Sequence, residues 1–267
     1  MSVRTTSNDL RGNGGRKVLD SHSVEFLSTQ RTGGSPLPET TPSIITNNLL
    51  MHVDAGNSFS YSGSGTTWTD LSGNGNNITL SSSGISYNST DGGGSIVFDG
   101  TNGQGTSSIN ITNMNTGGSL EIWCKITDTS GYRHIGGWRG STSQFYMLLL
   151  SGTGEMEARA KWSSAAYTDI VTSDYGTTFW ANNWNHIVFT NTTNNSSRFY
   201  LNGSFVSASP SGVGSFPSNN LFELMKTANL SIATAAGRLS QVRVYSDTLS
   251  DSEVTQNYNA TKSRFGL

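Results

Sequence analysis

The stretch WNHIVFTNTTNNSSRFYLNG, residues 184–203, decides the fold. Its first run alternates Trp184, His186 and Val188 with Asn185, Ile187 and Phe189. Successive side chains of a strand point to opposite faces, so each set lines one face. Large groups on both faces predict a central strand with little solvent on either side. RFYLNG (198–203) is its partner, with Phe199 and Leu201 on one face and Arg198 and Tyr200 on the other. The polar NTTNNSS (191–197) is too long for a tight turn and predicts an exposed loop. Asn202-Gly203 suits a two-residue turn with φ > 0. His186 reads as a hydrogen-bonded core histidine, so the unit specifies shape and no chemistry.

The pattern extends outward from this unit. LLMHV (49–53), SIVFDG (95–100), SLEIWCKIT (119–127), QFYMLLL (144–150), MEARAKW (156–162) and RLSQVRVY (238–245) are short runs separated by turn signals. Many short strands at such spacing predict an all-β sandwich or barrel and exclude a βαβ fold. One short helix is predicted in TLSDSEVTQNY (248–258). Ser250 can cap it, with Glu253 three residues on completing a capping box. Leu249 and Val254 are placed for a hydrophobic staple, and Val254 and Tyr258 share one helix face.

Composition limits the function classes. Only 13% of the 267 residues are charged and the net charge is -2, which gives no field to gather nucleic acid or an anionic membrane. Aromatic residues make up 10%, enough to bury a core. Cys124 is the one cysteine, so no disulfide forms within the chain, and its apolar strand marks it as a packing residue. The opening MSVRTTSNDLRGNGGRK lacks an apolar centre and predicts a chain without a secretory signal. FYMLLL (145–150) is far short of the ~20 apolar residues that span a bilayer.

Residues 1–43 differ in texture from the rest. They carry Pro36, Pro38 and Pro42, together with Arg4, Arg11, Arg16 and Lys17 among glycines. Such a segment cannot bury enough surface to fold alone and reads as an extended arm that orders against a partner. Val18, Leu19, Val24, Phe26 and Leu27 are its candidate anchors. Residues 44–267 form the predicted β domain.

The WNHIVFT and RFYLNG runs, followed by SQVRVYSDTLSDSEVTQNYNA (240–260), resemble the laminin-G-like, concanavalin A-like lectin/glucanase domains. MHVDAGN (51–57), TTWTDLSGNGNN (66–77) and SIVFDGTN (95–102) add to the likeness. The resemblance implies a jelly-roll sandwich of two antiparallel sheets. The ending EVTQNYNATKSRFGL (253–267) is similar to the variant of this domain found in tailed-bacteriophage virion proteins. It implies a non-enzymatic structural protein of the virion, made in the host cytoplasm. The arm would dock on other virion proteins, as a capsid decoration or a neck or tail component, and the jelly roll would be displayed outward as a homo-oligomer. A carbohydrate-binding receptor module of a tail fibre, meeting a host-surface glycan, is the alternative.

Three chemistries compete with purely structural roles for these residues. Glucanases of this family carry E-x-D-x-x-E, which is absent here. Glu155, Glu157 and Arg159 in GEMEARAK read as an ion-pair stripe on a solvent face, and Glu121 is a lone acid in its strand. Family members bind Ca2+ at a sheet edge, and Asp70, Asn74 and Asn76 in DLSGNGNN (70–77) are the candidates. Calcium takes about 6–8 oxygens, usually with several carboxylates, so these residues suit a Gly-rich turn held by side-chain-to-backbone hydrogen bonds better than a metal site. For sugar, GYRHIGGWRGS (131–141) offers Tyr132, Trp138 and Arg139, with Trp138 the best candidate for exposure. DYGTTFWANNW (174–184) adds Tyr175, Phe179 and Trp180, whereas Trp184 is expected in the core.

Overall fold

The computed structural model describes residues 42–109, 117–141, 144–162, 168–171, 175–192, 196–210, 221–226 and 233–267. The arm anchors Val18, Leu19, Val24, Phe26 and Leu27 lie outside these residues. Pro42 to Leu267 make one compact unit.

In chain order the strands are β1 Leu49–Asp54, β2 Thr67–Trp68, β3 Ile78–Leu80, β4 Ile85–Asn88, β5 Ser95–Asp99, β6 Gly105–Ser107, β7 Gly117–Ile126 and β8 Arg133–Ser141. They continue with β9 Gln144–Leu150, β10 Met156–Trp162, β11 Thr168–Val171, β12 Trp184–Thr192, β13 Ser196–Leu201, β14 Ser204–Pro210, β15 Leu221–Leu224, β16 Ala233–Thr234 and β17 Ala236–Tyr245. They build two sheets. The first runs β14-β13-β12-β7-β17-β5-β4, with β1 also paired to β17. The second runs β11-β10-β9-β8-β15-β6-β3-β2. Pairing is antiparallel apart from the short β16–β8 contact. This is the expected concanavalin A-like jelly-roll sandwich.

The opening unit is central, as its two-faced pattern predicts. β12 lies between β13 and β7. Ile187 and Phe189 face the space between the sheets and join one large core with Leu120, Ile122, Trp138, Leu148, Phe199 and Phe222. Val188 and Trp184 face outward but are buried as well. The predicted loop is shorter than its polarity suggested. Asn191 pairs with Ser197 across β12 and β13, and the Ser197 hydroxyl donates to Asn191 Oδ1 at 3.1 Å. A side-chain hydrogen bond of this kind lets polar residues sit in a ladder. Asn202 and Gly203 turn the chain with φ of 49° and 78°, as a primed hairpin requires.

The outer face of the first sheet is covered by the C-terminal helix Asp251–Thr261 and the 3-10 turn Lys262–Phe265. The capping box is formed: Ser250 accepts from Glu253 N, and Glu253 reaches back to Ser250 N at 2.8 Å. Leu249 and Val254 pack together with Val188, Tyr200 and Tyr245. Phe265 stacks on Trp123 at 3.8 Å, beside Trp184. β7 is therefore buried on both faces, with Cys124 and Ile122 inward and Trp123 and Glu121 outward.

Candidate functional site

The residues expected to bind sugar separate. Trp138 is fully buried, with its ring 4.7 Å from Phe222. GYRHIGGWRGS is mostly β8, so most of its glycines sit within the sheet. A Cβ on Gly136 would lie 2.8 Å from Ile122 and 2.9 Å from Leu224, so this glycine makes room for core packing. Arg139, on the same strand as Trp138, pairs with Leu221 on β15 and with Phe145 on β9. Tyr132 is exposed just before β8. Arg133, beside it, clamps Asp128 through Nε at 3.1 Å and Nη2 at 2.7 Å.

Tyr175 is also partly exposed, and its ring lies 4.9 Å from Phe179. Trp180 is buried and donates Nε1–H to Gly154 O at 2.6 Å. A Cβ on Gly154 would strike the Gly176 backbone, and one on Gly152 the Gly131 backbone. The loops bearing Tyr132 and Tyr175 thus flank one turn at 151–155. Glu157 is 4% exposed, which overturns the solvent-face stripe.

The residues proposed for calcium are spent on a turn. Asp70 Oδ1 accepts from the backbone N–H of His52 and Ser72, each at 2.8 Å. Its Oδ2 accepts from Ser72 Oγ at 2.7 Å and Asn76 N at 3.0 Å. Asn74 and Asn76 point their amide N–H groups at the Leu49 and Leu50 carbonyls, at 2.9 Å and 2.7 Å. These side chains bind the 70–77 loop to β1. Among the described residues no group of three or more His, Cys, Asp or Glu could hold a metal ion.

Glu121 is not alone. Arg243 Nη1 donates to its Oε1, His186 Nε2 reaches the same oxygen at 3.0 Å, and Asn257 Nδ2 donates to Oε2 at 2.7 Å. Burial by itself would push this carboxyl up. Arg243, with the His186 and Asn257 hydrogen bonds, outweighs burial and holds it down at about 2. Arg243 continues to Gln241, Gln241 to Asp54, and Asp54 to Arg264 on the terminal turn. Glu121, His186 and Arg243 are at most 1% exposed. A glycosidase acid needs a raised pKa and a route for substrate. This cluster has neither and works as a clamp between helix and sheet.

A different surface carries an exposed aromatic. Phe59 is 85% exposed. Its turn is held by Asn57, whose Oδ1 accepts from Phe59 N at 2.9 Å and whose carbonyl accepts from Ser60 N and Tyr61 N. Two hollows of about 340 and 380 Å³ meet there and share Ser64, Gly65 and Thr66. The first is walled by Tyr61, Ile85 and Tyr87, and the second by Phe59. No lining residue is charged. No sequence motif marks this site in advance. Its signal was two aromatics, Phe59 and Tyr61, set among small polar residues in NSFSYSGSGTT (57–67).

The profile of the concanavalin A-like lectin/glucanases superfamily, of the laminin G type, matches residues 98–255. Similar solved structures include the binding domain of Paraclostridial Mosquitocidal Protein 1, at 18% identity and TM-score 0.65. The match covers 80% of this chain and 52% of that one. The botulinum neurotoxin serotype D binding domain matches at 13% identity and TM-score 0.64, over 80% of this chain and 52% of that chain. The botulinum neurotoxin DC binding domain in complex with SialylT matches at 11% identity and TM-score 0.64, over 81% and 52%. This chain spans about half the length of those domains. Among curated proteins, none matches it in sequence.

Proposed function

Since the chain belongs to the concanavalin A-like lectin/glucanases superfamily, we propose that it is a non-catalytic recognition module that binds carbohydrate on its loop surface. The observation that carries this reading is Phe59, an aromatic ring left almost wholly in water on a rigid turn beside two uncharged, hydroxyl-lined hollows. Sugar sites combine an aromatic face with a few polar groups in a concave setting. Leaving Phe in solvent forgoes roughly 1.5–3 kcal/mol of burial, which a ligand ring would recover. The acids fit this reading, because Glu121 is sealed under the helix. A glycan array probed with the full chain tests it: reproducible glycan binding without turnover is expected, and an array without hits would remove the reading.

The resemblance of residues 253–267 to phage virion domains extends the proposal to a virion protein with an arm that docks on its neighbours. One structural observation favours it. The chain enters the body at a fixed point, where Gln256 Nε2 donates to Ser43 O at 2.7 Å and Ile45 N donates to Asn257 Oδ1 at 2.7 Å. Ser43 and Ile45 are held against the helix, and a partner on a repetitive lattice could order the preceding segment by strand addition or avidity. Deleting residues 1–43 should abolish occupancy on particles. Unchanged occupancy would exclude arm-mediated docking.

A further inference from the structure

Resting on that reading of the domain as a carbohydrate-recognition module, we propose that the cleft beside Phe59 takes a neutral oligosaccharide of at least two sugar units and needs no calcium. Charge selects the class. None of the lining residues is ionisable at neutral pH. The nearby acids are occupied: Asp54 by Arg264 and Gln241, Asp70 by the turn it holds. A sialylated or sulfated glycan finds no cation here. A calcium ion finds no carboxylate, and calcium sites need several hard oxygens with charge among them.

The polar groups divide into a frame and a surface. Tyr61 Oη donates to Gly65 O at 3.0 Å, Ser62 Oγ to Ser64 O at 3.3 Å, and Tyr87 Oη to Ala55 O at 3.1 Å. The Tyr61 and Tyr87 rings lie 5.4 Å apart. These contacts fix the 61–66 loop without spending the remaining hydroxyls. Ser64, Thr66, Thr67, Thr69 and Ser82 are among the lining residues, and their hydroxyls make no hydrogen bond among the described residues. Hydroxyls donate and accept, which matches a ligand whose own groups are hydroxyls. A frame already ordered lowers the entropy cost of binding.

Size sets the ligand length. Each hollow lies at the lower end of small-molecule sites, which run to about 300–1,000 Å³. The ridge Ser64-Gly65-Thr66 belongs to both. One sugar stacked on Phe59 in the second hollow and another against Ile85 and Tyr87 in the first would span that ridge.

The test uses the full chain on an array of neutral and sialylated oligosaccharides, with and without EDTA, followed by calorimetry on the best neutral hit. Binding to neutral glycans, unchanged by EDTA, is expected, with affinity rising about tenfold or more from the monosaccharide to the disaccharide. Phe59→Ala should weaken it at least about tenfold and Thr66→Val, on the shared ridge, severalfold, while Tyr132→Ala leaves it unchanged. Phe59 is exposed, so the variant should keep the parent thermal midpoint. Neutral binding that survives Phe59→Ala would overturn the site but leave carbohydrate recognition standing. Binding only to charged glycans, or loss with EDTA, would overturn the ligand class. No binding to any glycan would overturn both.

Discussion

Asn257, on the C-terminal helix, donates its side-chain amide to Glu121 Oε2 at 2.7 Å across 136 residues of chain. The same side chain accepts from Ile45 N at 2.7 Å and donates to Tyr245 Oη at 3.0 Å. One fully buried residue thus ties the helix, the central strands and the start of the domain together. Removing one partner of a buried ion pair strands the other. Glu121→Ala, which leaves Arg243 without its carboxylate, should cost roughly 3–5 kcal/mol. Asn257→Ala should cost about 1–3 kcal/mol. Urea unfolding monitored by tryptophan emission measures both. A Glu121→Ala variant within 1 kcal/mol of the parent, an order-of-magnitude threshold below the buried-pair range, would show that the clamp does not hold the fold.

Acid should weaken the domain in two overlapping windows. Burial, then Arg243, lowers His52 from 6.5 to about 4. Between those values the unfolded chain takes up a proton that the folded chain refuses, so stability falls as the pH drops through them. Glu121, held at about 2, contributes stability that is fully present above its ordinary value of 4.5 and is lost as the pH falls towards 2. The unfolding midpoint should therefore decline below about pH 6.5 and continue to decline below 4.5. His52→Gln should flatten the upper part only. The same slope between pH 6.5 and 4.5 in that variant would remove His52 as its cause.

The fold was legible because β patterning is local and period-2 alternation survives any composition. Ile187 and Phe189 against Trp184 and Val188 stated both buried faces of β12, and Ser250 with Glu253 stated the helix start. What failed was non-local. Trp138 in its Gly-rich run reads as a candidate for exposure, because no sequence rule shows that Gly136 must leave space for Ile122 on the other sheet and Leu224 on the neighbouring strand. Glu121 looked solitary because Arg243, His186 and Asn257 reach it from distant parts of the chain. Phe59 was passed over because exposure belongs to the assembled surface. The turn residues Asp70, Asn74 and Asn76 were readable in both senses, and only the directions of their amide and carboxylate groups decide.

The terminal turn should act as a seal. Phe265 stacks on Trp123 and lies 5.0 Å from the Trp184 ring, while Arg264 donates Nε–H to Gly92 O at 2.6 Å. Phe265→Ala removes a buried ring from that stack and should cost about 3 kcal/mol. It also opens Trp123 to water, so native emission should shift to the red. Removing residues 262–267 should do both more strongly. An unshifted spectrum with a lowered midpoint would place the loss elsewhere than at Trp123.

Gly203 should be intolerant of any side chain, for two separable reasons. Its φ of 78° lies in the left-handed region, which costs an L-residue about 1–2 kcal/mol. A Cβ there would also lie 2.7 Å from Tyr258 Cδ1 and 2.9 Å from Tyr258 Cβ, on the helix the hairpin supports. Thr255 Oγ1 donates to Gly203 O at 2.9 Å, so the turn cannot simply move away from the helix. Gly75 is the internal control, since its φ is 75° and nothing lies within 4 Å of its added Cβ. Gly75→Ala should lose only the backbone cost. Gly203→Ala should lose that amount and a further 1–3 kcal/mol or so from overpacking against Tyr258. Tyr258→Ala in the Gly203→Ala background should recover part of this difference, because the clashing ring is gone. If the two glycine variants unfold at the same urea concentration, close packing of the turn against Tyr258 adds no stability, and the added Cβ is absorbed by movement of that ring.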